Sequence, residues 1–395
     1  MGGMLSDALG CVGFSWMSSP SCTELEMVTM DWLAKSMDLP KVFLHSCDGN
    51  GGGVIQGSCS ESTLIALLAA KHRKIEKIGK HSEEDIESKL VAYTSRQAHS
   101  SVEKGIRIVR AKMRILETDS NFRLRGDTLR KAVDEDKAKG LIPFFIGGSF
   151  GTTSVCSFDD VDELGDIAQV EDMWMHVDGA YAGSALICPE YRCLMKGLEK
   201  TDSFVVNCHK WLMVNFDCSA FYVRDSMDLV KLFEINPTYL KHAYQNEIPD
   251  FRHWQIPLGR RFRSLKLWMV MKSYGVSGLQ ENIRRQIRQA KIFESLLRDD
   301  DRFEVVNEVL MGLVCFQLKG GDKLNRELNK RVNDEKRIHM TPAEIDGKLV
   351  LRFVVASRLT EDEDIEFAWN EIKRHTDLLL NDDVDDLFVM EEAIN

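Results

Sequence analysis

The chain has 395 residues, of which 44% are hydrophobic and 29% charged, as in an ordinary globular protein. This length exceeds what one compact core usually covers, so we expect a large domain and a smaller one. The formal net charge of -11 argues against nucleic acid or an anionic membrane surface as a partner.

Cysteine usage and hydropathy give the expected compartment. The ten cysteines show no Cys-x-x-Cys pair and no zinc-like spacing, so they are expected to be buried thiols in a reducing environment, without disulfides or a bound metal. The longest apolar stretches, residues 64–70 and 141–146, fall short of the roughly 18 residues that a membrane span needs. These features predict a cytoplasmic protein.

From about residue 50 to 225, apolar strand-like runs alternate with longer helical patterns. This alternation predicts an α/β domain with a mostly parallel sheet covered by helices. The predicted strands are residues 90–94, 141–146, 173–177, 203–206 and 219–223. Ligand sites of such sheets lie at the carboxyl ends of the strands.

A glycine-rich turn, residues 51–57, leads into a helical pattern over residues 61–71. Ser58 and Glu61 have the spacing of a capping box, so the N–H groups of the first turn can face an anion such as a cofactor phosphate. Glycine-rich turns also serve only to let the chain change direction. The turn alone leaves both interpretations open.

Two further polar residues follow predicted strands. Asp178 comes directly after residues 173–177, and Lys210 follows residues 203–206. Pyridoxal phosphate (PLP) requires such a pair, because its aldehyde is held by a lysine and its ring nitrogen stays protonated beside an anion. Each residue alone is weak evidence, since a lysine after an apolar strand is usually a solvated strand end.

Three longer motifs carry a resemblance. They read His-Val-Asp-Gly-Ala-Tyr-Ala-Gly from His176, Asn-Cys-His-Lys-Trp-Leu-Met-Val-Asn-Phe-Asp-Cys-Ser-Ala from Asn207, and Phe-Arg-His-Trp-Gln-Ile-Pro-Leu-Gly-Arg-Arg-Phe-Arg-Ser-Leu-Lys from Phe251. With them the chain resembles the group II PLP-dependent amino-acid decarboxylases, and within that family the aromatic-L-amino-acid decarboxylase branch. The resemblance runs from about residue 4 to about residue 380.

The resemblance implies a PLP-dependent transferase fold of type I, like that of aspartate aminotransferase. We expect a large PLP-binding domain with a mostly parallel seven-stranded sheet over residues 1–275, lacking the N-terminal extension of the family. A helical stretch over 262–297, broken at 275–278, leads into a small α+β domain over 276–380. Its predicted strands are 303–318 and 349–355, and its predicted helices are 323–332 and 362–380. The acidic tail, residues 381–395, is predicted to be disordered.

The resemblance also assigns cofactor-binding roles. Lys210 is expected to hold the aldehyde and Asp178 the ring nitrogen, while His99 and Ala180 pack on the two faces of the ring. Thr153 is expected to hydrogen-bond near Asp178 or the ring. The phosphate is expected in a cradle made by Ser58, Cys59, Ser60, Asn207 and His209. A lone histidine such as His99 is otherwise more often a satisfied polar residue than a catalyst.

The resemblance also makes Lys210, Asp178 and His99 expected catalytic residues, and His99 an expected substrate contact. Further catalytic and substrate-binding residues lie elsewhere in the chain. Tyr239 lies within a motif that resembles the mobile catalytic loop of the family and is the predicted proton donor. Without the resemblance, it would be interpreted as an aromatic residue of a surface loop. Gly259 favours an aromatic substrate such as DOPA, tyrosine, tryptophan or 5-hydroxytryptophan, because histidine-specific relatives tend to carry serine there. Val12 and Phe14 match positions that line the pocket of the neighbouring subunit, which implies a homodimer.

Several positions depart from the family pattern. Cys208 replaces a proline, Arg96 an aspartate and Gly179 a common alanine, and the mobile loop is slightly shortened. Met1, Gly2 and Ser6 formally fit a myristoylation pattern, but residues 4–16 already resemble domain interior, so no lipid anchor is expected.

The sequence leaves three candidate functions for this chain. The first is a decarboxylase that makes arylalkylamines, and the second is an aldehyde synthase of the same family. Retention of His99 and Tyr239 favours the first over the second. The third is a truncated, non-catalytic isoform that pairs with a full-length subunit.

Overall fold

The computed structural model describes residues 1–79, 83–235 and 248–392. The chain divides into two compact units. The first comprises Met1–Thr153 and Ser157–Glu281, and the second comprises Ser154–Cys156 and Asn282–Asn395. The second unit begins inside a long helix, whereas the sequence analysis placed the boundary at the glycine break near residue 275.

In the described part of the chain, the first unit contains a seven-stranded sheet with the order β1-β7-β6-β5-β4-β2-β3. Its strands are β1 (Gly52–Gln56), β2 (Leu90–Ser95), β3 (Lys112–Leu116), β4 (Ile142–Ser149), β5 (Trp174–Asp178), β6 (Ser203–Asn207) and β7 (Ser219–Val223). Strands β3, β2, β4, β5 and β6 are parallel, and β7 is antiparallel to both β6 and β1. The predicted mostly parallel sheet is confirmed.

Two strands of this sheet were not predicted. Strand β1 begins with glycines, which the sequence analysis assigned to a turn. A Cβ atom on Gly53 would lie 2.5 Å from Met30 Cε and 2.7 Å from the ring of Tyr222, so close packing requires a glycine within this strand. Strand β3 lies at the sheet edge, where Lys112 and Arg114 interrupt the apolar run that buried strands show.

Helices cover this sheet. They are α1 (Gly2–Leu9), α2 (Pro20–Ser36), α3 (Cys59–Ile78), α4 (Glu83–Lys89), α5 (Ser100–Ile108), α6 (Gly126–Ala138), α7 (Val161–Val170), α8 (Cys208–Trp211) and α9 (Met227–Phe233). Helix α3 packs across the centre of the sheet because Ile65, Ala66, Ala69 and Ala70 form a buried stripe at helical spacing. Its first turn is thereby fixed at the carboxyl edge of the sheet.

Helix α10 (Arg263–Arg298) contains the predicted break. Gly275 has φ 65° and ψ 177°, a left-handed backbone conformation that glycine adopts without steric cost. The helical hydrogen-bond pattern is therefore interrupted at this position.

The second unit is the predicted small α+β domain. Its antiparallel sheet has the order β10-β11-β9-β8, formed by β8 (Phe303–Val305), β9 (Leu313–Leu318), β10 (Ala343–Ile345) and β11 (Lys348–Val354). The predicted strand over 303–318 is two strands, because Asn307 closes a connection between them by accepting from Cys315 N–H at 2.9 Å. Helices α11 (Asp322–Asp334) and α12 (Asp362–Glu392) complete the unit, with Phe293, Phe316 and Trp369 in its core.

Helix α12 continues into the segment for which disorder was expected. Apolar residues at 380, 384, 387 and 388 recur at helical spacing among the acidic residues, and the disorder of residues 381–395 stays a prediction. Among the helices in the described ranges, none is both long enough and apolar enough to cross a membrane.

Candidate active site

A cavity of about 190 Å³ opens at the carboxyl edge of the first unit's sheet. The parallel strands β2, β4, β5 and β6 all end at this edge, so the residues that follow them converge there. The cavity brings together every predicted cofactor-binding residue except His209, namely Ser58, Cys59, Ser60, His99, Thr153, Asp178, Ala180, Asn207 and Lys210. Its other lining residues, which the sequence analysis missed, are Ser149, Gly151, Thr152 and Tyr181.

The N-terminus of α3 forms one end of the cavity. Ser58 is the N-cap residue, and its side chain accepts a hydrogen bond from Glu61 N–H at 3.1 Å. The Glu61 carboxylate turns back and accepts from Gly57 N–H at 3.1 Å. This reciprocal capping places the positive end of the helix dipole against the cavity, where an anion such as a phosphate is stabilised.

Asp178 supplies a carboxylate at the end of β5. Its Oδ1 accepts from Ala180 N–H at 2.9 Å, and its carbonyl oxygen accepts from Phe150 N–H at 2.8 Å. The carboxylate is thereby held between the chain ends of β4 and β5. In this position it can pair with a protonated ring nitrogen in the cavity.

Lys210 reaches the cavity from the short helix α8, which follows β6 directly. Its neighbours Cys208 and Trp211 are buried and anchor the turn, while Lys210 is exposed towards the cavity. His209 is not among the lining residues, since successive residues of a helix diverge by about 100°. Its Nδ1 accepts from Cys218 N–H at 2.9 Å, and its ring lies 4.7 Å from that of Phe216.

His99 lines the cavity at the start of α5. Its Nδ1 accepts from Ser101 N–H at 3.2 Å and lies 2.8 Å from Ser101 Oγ, which fixes the ring at the helix N-cap. Tyr181, the residue after Ala180, stacks on Trp211 with ring centroids 4.6 Å apart. The rings of His99 and Tyr181, which both line the cavity, are therefore held in place by their own neighbours.

The turn after β4 forms another wall. Thr152 Oγ1 lies 2.9 Å from Ser157 Oγ, and the N–H groups of Gly151 and Thr152 both donate to the carbonyl of Ser157. These bonds keep the turn compact and leave Thr153 exposed at the cavity rim. Below it, Asp159 accepts from Ser149 N–H at 2.7 Å, and burial raises the pKa of this carboxyl to about 7.

His176 lies within the sheet, on β5 behind Asp178. The ring is fully buried between Phe145 and Phe221, with Nδ1 at 2.9 Å from Ser203 Oγ and Nε2 at 3.3 Å from Thr63 Oγ1. Burial lowers the pKa of His176 to about 4, although the nearby Asp178 charge acts in the opposite direction. The ring is therefore neutral at physiological pH.

This buried histidine gives a testable pH dependence of stability. Its folded pKa lies below its unfolded value near 6.5, so its contribution is fully present above pH 6.5 and is lost as the pH falls towards 4. We expect this one group to lower the free energy of unfolding by about 2 kcal/mol between pH 7 and pH 5. Urea unfolding of the wild type and of His176→Asn at both pH values measures it, and equal pH dependence in the two proteins would contradict the assignment.

Of the predicted substrate residues, His99 lines the cavity, whereas Val12, Phe14 and Gly259 are not among its lining residues. Val12 is exposed, and a Cβ atom on Gly259 would lie 3.9 Å from its Cγ1, so these two positions share one surface. Phe14 is close by in sequence, and its carbonyl oxygen accepts from Arg252 N–H at 3.1 Å. Tyr239 and most of the loop that contains it lie outside the described residues.

One of the departures from the family pattern, Gly179, has a structural explanation. A Cβ atom on Gly179 would lie 2.6 Å from Phe204 Cε2, so the glycine accommodates the phenylalanine on β6. Cys208 is fully buried, and Arg96 forms an exposed ion pair with Glu117. None of these three residues lines the cavity.

The residues of the cavity fit pyridoxal phosphate. They offer a helix N-terminus for an anion, a carboxylate beyond it, and the amine of Lys210. The fold and the cavity together define a PLP-dependent enzyme.

Comparison with known proteins agrees with this class. The pyridoxal-dependent decarboxylase conserved domain matches residues 1–319. The aromatic-L-amino-acid decarboxylase of Manduca sexta is 54% identical over 374 residues, which cover 94% of this chain and 74% of the relative. The chain belongs to the pyridoxal-dependent decarboxylase family, and its cofactor is pyridoxal 5'-phosphate.

Solved structures show the same relationship. The structure of Catharanthus roseus tryptophan decarboxylase with L-tryptophan matches with a TM-score of 0.90 and 42% identity, covering 96% of this chain and 80% of that chain. The 4-hydroxyphenylacetaldehyde synthase of Rhodiola rosea matches with a TM-score of 0.88 and 37% identity, covering 95% and 79%. Decarboxylases and an aldehyde synthase thus share this fold.

Proposed function

We propose that this chain decarboxylates aromatic L-amino acids to arylalkylamines and CO2. The observation that carries the proposal is the convergence of Lys210, Asp178 and the N-terminus of α3 on one cavity. The relatives named for aromatic amino acids supply the substrate class, since more than half of the aligned residues are identical in the Manduca sexta enzyme.

Each residue has a chemical task. When bound, PLP supplies an aldehyde and a ring that withdraws electrons from the substrate α-carbon. Lys210 would hold the cofactor aldehyde through Nζ until a substrate amine takes its place. Asp178 keeps the ring nitrogen protonated through its negative charge. His99 and Ala180 fix the plane of the ring, and Tyr239 delivers a proton to the α-carbon after CO2 has left.

The aldehyde synthase reading is the second candidate, because the Rhodiola rosea synthase has the same fold. Both reactions begin with the loss of CO2, so the same cavity serves either. Retention of His99 and Tyr239 favours protonation and hence the amine product.

Product analysis separates the candidates. The full chain is incubated with PLP and with DOPA, 5-hydroxytryptophan, tyrosine, tryptophan or histidine, and CO2, amine, aldehyde and hydrogen peroxide are quantified. We expect amine equal to CO2 for at least one aromatic substrate and no turnover of histidine. Aldehyde with peroxide in place of amine would identify the synthase, and PLP binding without turnover would support the non-catalytic isoform.

We also propose a cytoplasmic homodimer. All ten cysteines are free thiols, as expected in a reducing compartment. Val12 and Gly259 share a surface outside the chain's own cavity, which suits residues that complete the pocket of a second copy. Size-exclusion chromatography with light scattering tests the dimer, and a monomer with full activity would exclude it.

A further inference from the structure

We propose that Cys59 and Ser219 are positioning residues, which orient the Asn207 carboxamide so that its NH2 group faces the cofactor phosphate. This inference rests on the proposed function, because it takes the α3 end of the cavity as the phosphate site. It assigns a role to the Ser219 hydroxyl, which does not line the cavity, and a specific task to the Cys59 thiol, which belongs to a residue that does.

The three side chains form one buried cluster. The Cys59 thiol donates to Asn207 Oδ1 at 3.0 Å, and the Ser219 hydroxyl donates to the same oxygen. Cys59 and Asn207 are 6% and 5% exposed, and Ser219 is fully buried. Asn207 N–H donates to the carbonyl of Ala180 at 3.1 Å, so the backbone beneath the carboxamide is also fixed.

The elements that carry the cluster explain its position. Asn207 ends β6 and pairs with Ser219 at the start of β7, so their side chains are cross-strand neighbours. Cys59 is the first residue of α3, directly after the N-cap residue Ser58. The carboxamide therefore lies between the sheet and the N-terminus of α3, which is the helix end that favours anions.

The orientation of the side-chain carboxamide decides whether Asn207 attracts or repels an anion. A carboxamide carries two N–H donors on one side and an acceptor oxygen on the other, and a 180° rotation exchanges them. Because two donors engage Oδ1, the NH2 group is left on the opposite side, and Asn207 lines the cavity. A rotated carboxamide would instead place its oxygen towards the phosphate.

A neutral thiol is what this role requires, because a thiolate cannot donate. Burial raises the pKa of Cys59 well above its ordinary value, and the negative charge of Asp178 adds to this effect. Cys59 therefore stays protonated, and its contribution should not change across neutral pH.

The test compares the dissociation constants of PLP and of pyridoxal, which lacks the phosphate, measured by titrating the cofactor-free protein. Cys59→Ala and Ser219→Ala should each weaken PLP binding roughly threefold to tenfold, the range for one neutral hydrogen bond. Pyridoxal binding should be unchanged. Cys59→Ser, which retains a donor, should restore most of the PLP affinity.

A double-mutant cycle with Asn207→Ala distinguishes positioning from general packing. If Cys59 acts through Asn207, Cys59→Ala should have no further effect on PLP binding once Asn207 is alanine. Equal losses for PLP and pyridoxal, or undiminished losses in the Asn207→Ala background, would overturn the inference. A wild type that binds no PLP would instead refute the proposed function, so the two failures are distinguishable.

Discussion

Lys210→Ala is expected to remove the visible absorbance of the lysine-bound cofactor and to lower kcat/KM by roughly 10⁴-fold or more, as for the loss of a covalent catalytic group. The physical reason is that, within the part of the chain that the structure describes, Lys210 provides the one amine among the residues that line the cavity. Absorbance spectra and steady-state kinetics of the purified variant measure both effects.

Lys196→Ala is the matched control for this substitution. Its side chain is 80% exposed and pairs with Asp162, away from the residues of the cavity. It should leave the spectrum and the kinetics unchanged. If Lys210→Ala retained a borohydride-reducible link between PLP and a lysine, the assignment of Lys210 would be wrong.

Asp178→Asn is expected to retain cofactor binding but to lower kcat by roughly 10²–10³-fold, the usual range for loss of one electrostatic contact to the reacting system. The amide keeps the size of the side chain and removes the charge that holds the ring nitrogen protonated. Single-turnover measurement of CO2 release isolates this step from product release.

Asp166→Asn provides the control, because this carboxylate is 66% exposed and pairs with Lys200 outside the cavity. Wild-type turnover in Asp178→Asn would contradict the role of Asp178 in electron withdrawal. A variant that lost all PLP affinity would show that the carboxylate mainly holds the cofactor in place.

The fold around the site could be predicted because buried parallel strands are continuous apolar runs. The runs before Asp178 and Asn207 therefore marked strands whose carboxyl ends meet. The same reasoning failed for β1. Its Gly53 is needed because Met30 and Tyr222 pack closely against the strand, and both are distant from it in sequence. It also failed for β3, since an edge strand has no apolar run to detect.

The residues of the functional site were likewise only partly predictable from the sequence. Ser149 ends β4 and could have been found by the rule that identified Asp178, whereas Tyr181 and Thr152 reach the cavity through local turns. His209, expected in the cradle by resemblance, is not among the lining residues, and its Nδ1 accepts from Cys218 N–H; its role at the phosphate stays a prediction. The pairing of Cys59 and Ser219 with Asn207 depends on tertiary packing, which periodicity does not encode.

The contact between Gly179 and Phe204 has a consequence for protein engineering. An alanine at position 179 would place its methyl group 2.6 Å from the phenylalanine ring, so it cannot be introduced without a shift of β6 or a smaller residue at 204. Because β6 leads directly into Lys210, such a shift would reach the active site. A library that randomises position 179 should therefore vary position 204 together with it, because a side chain at 179 needs the space that the phenylalanine ring occupies.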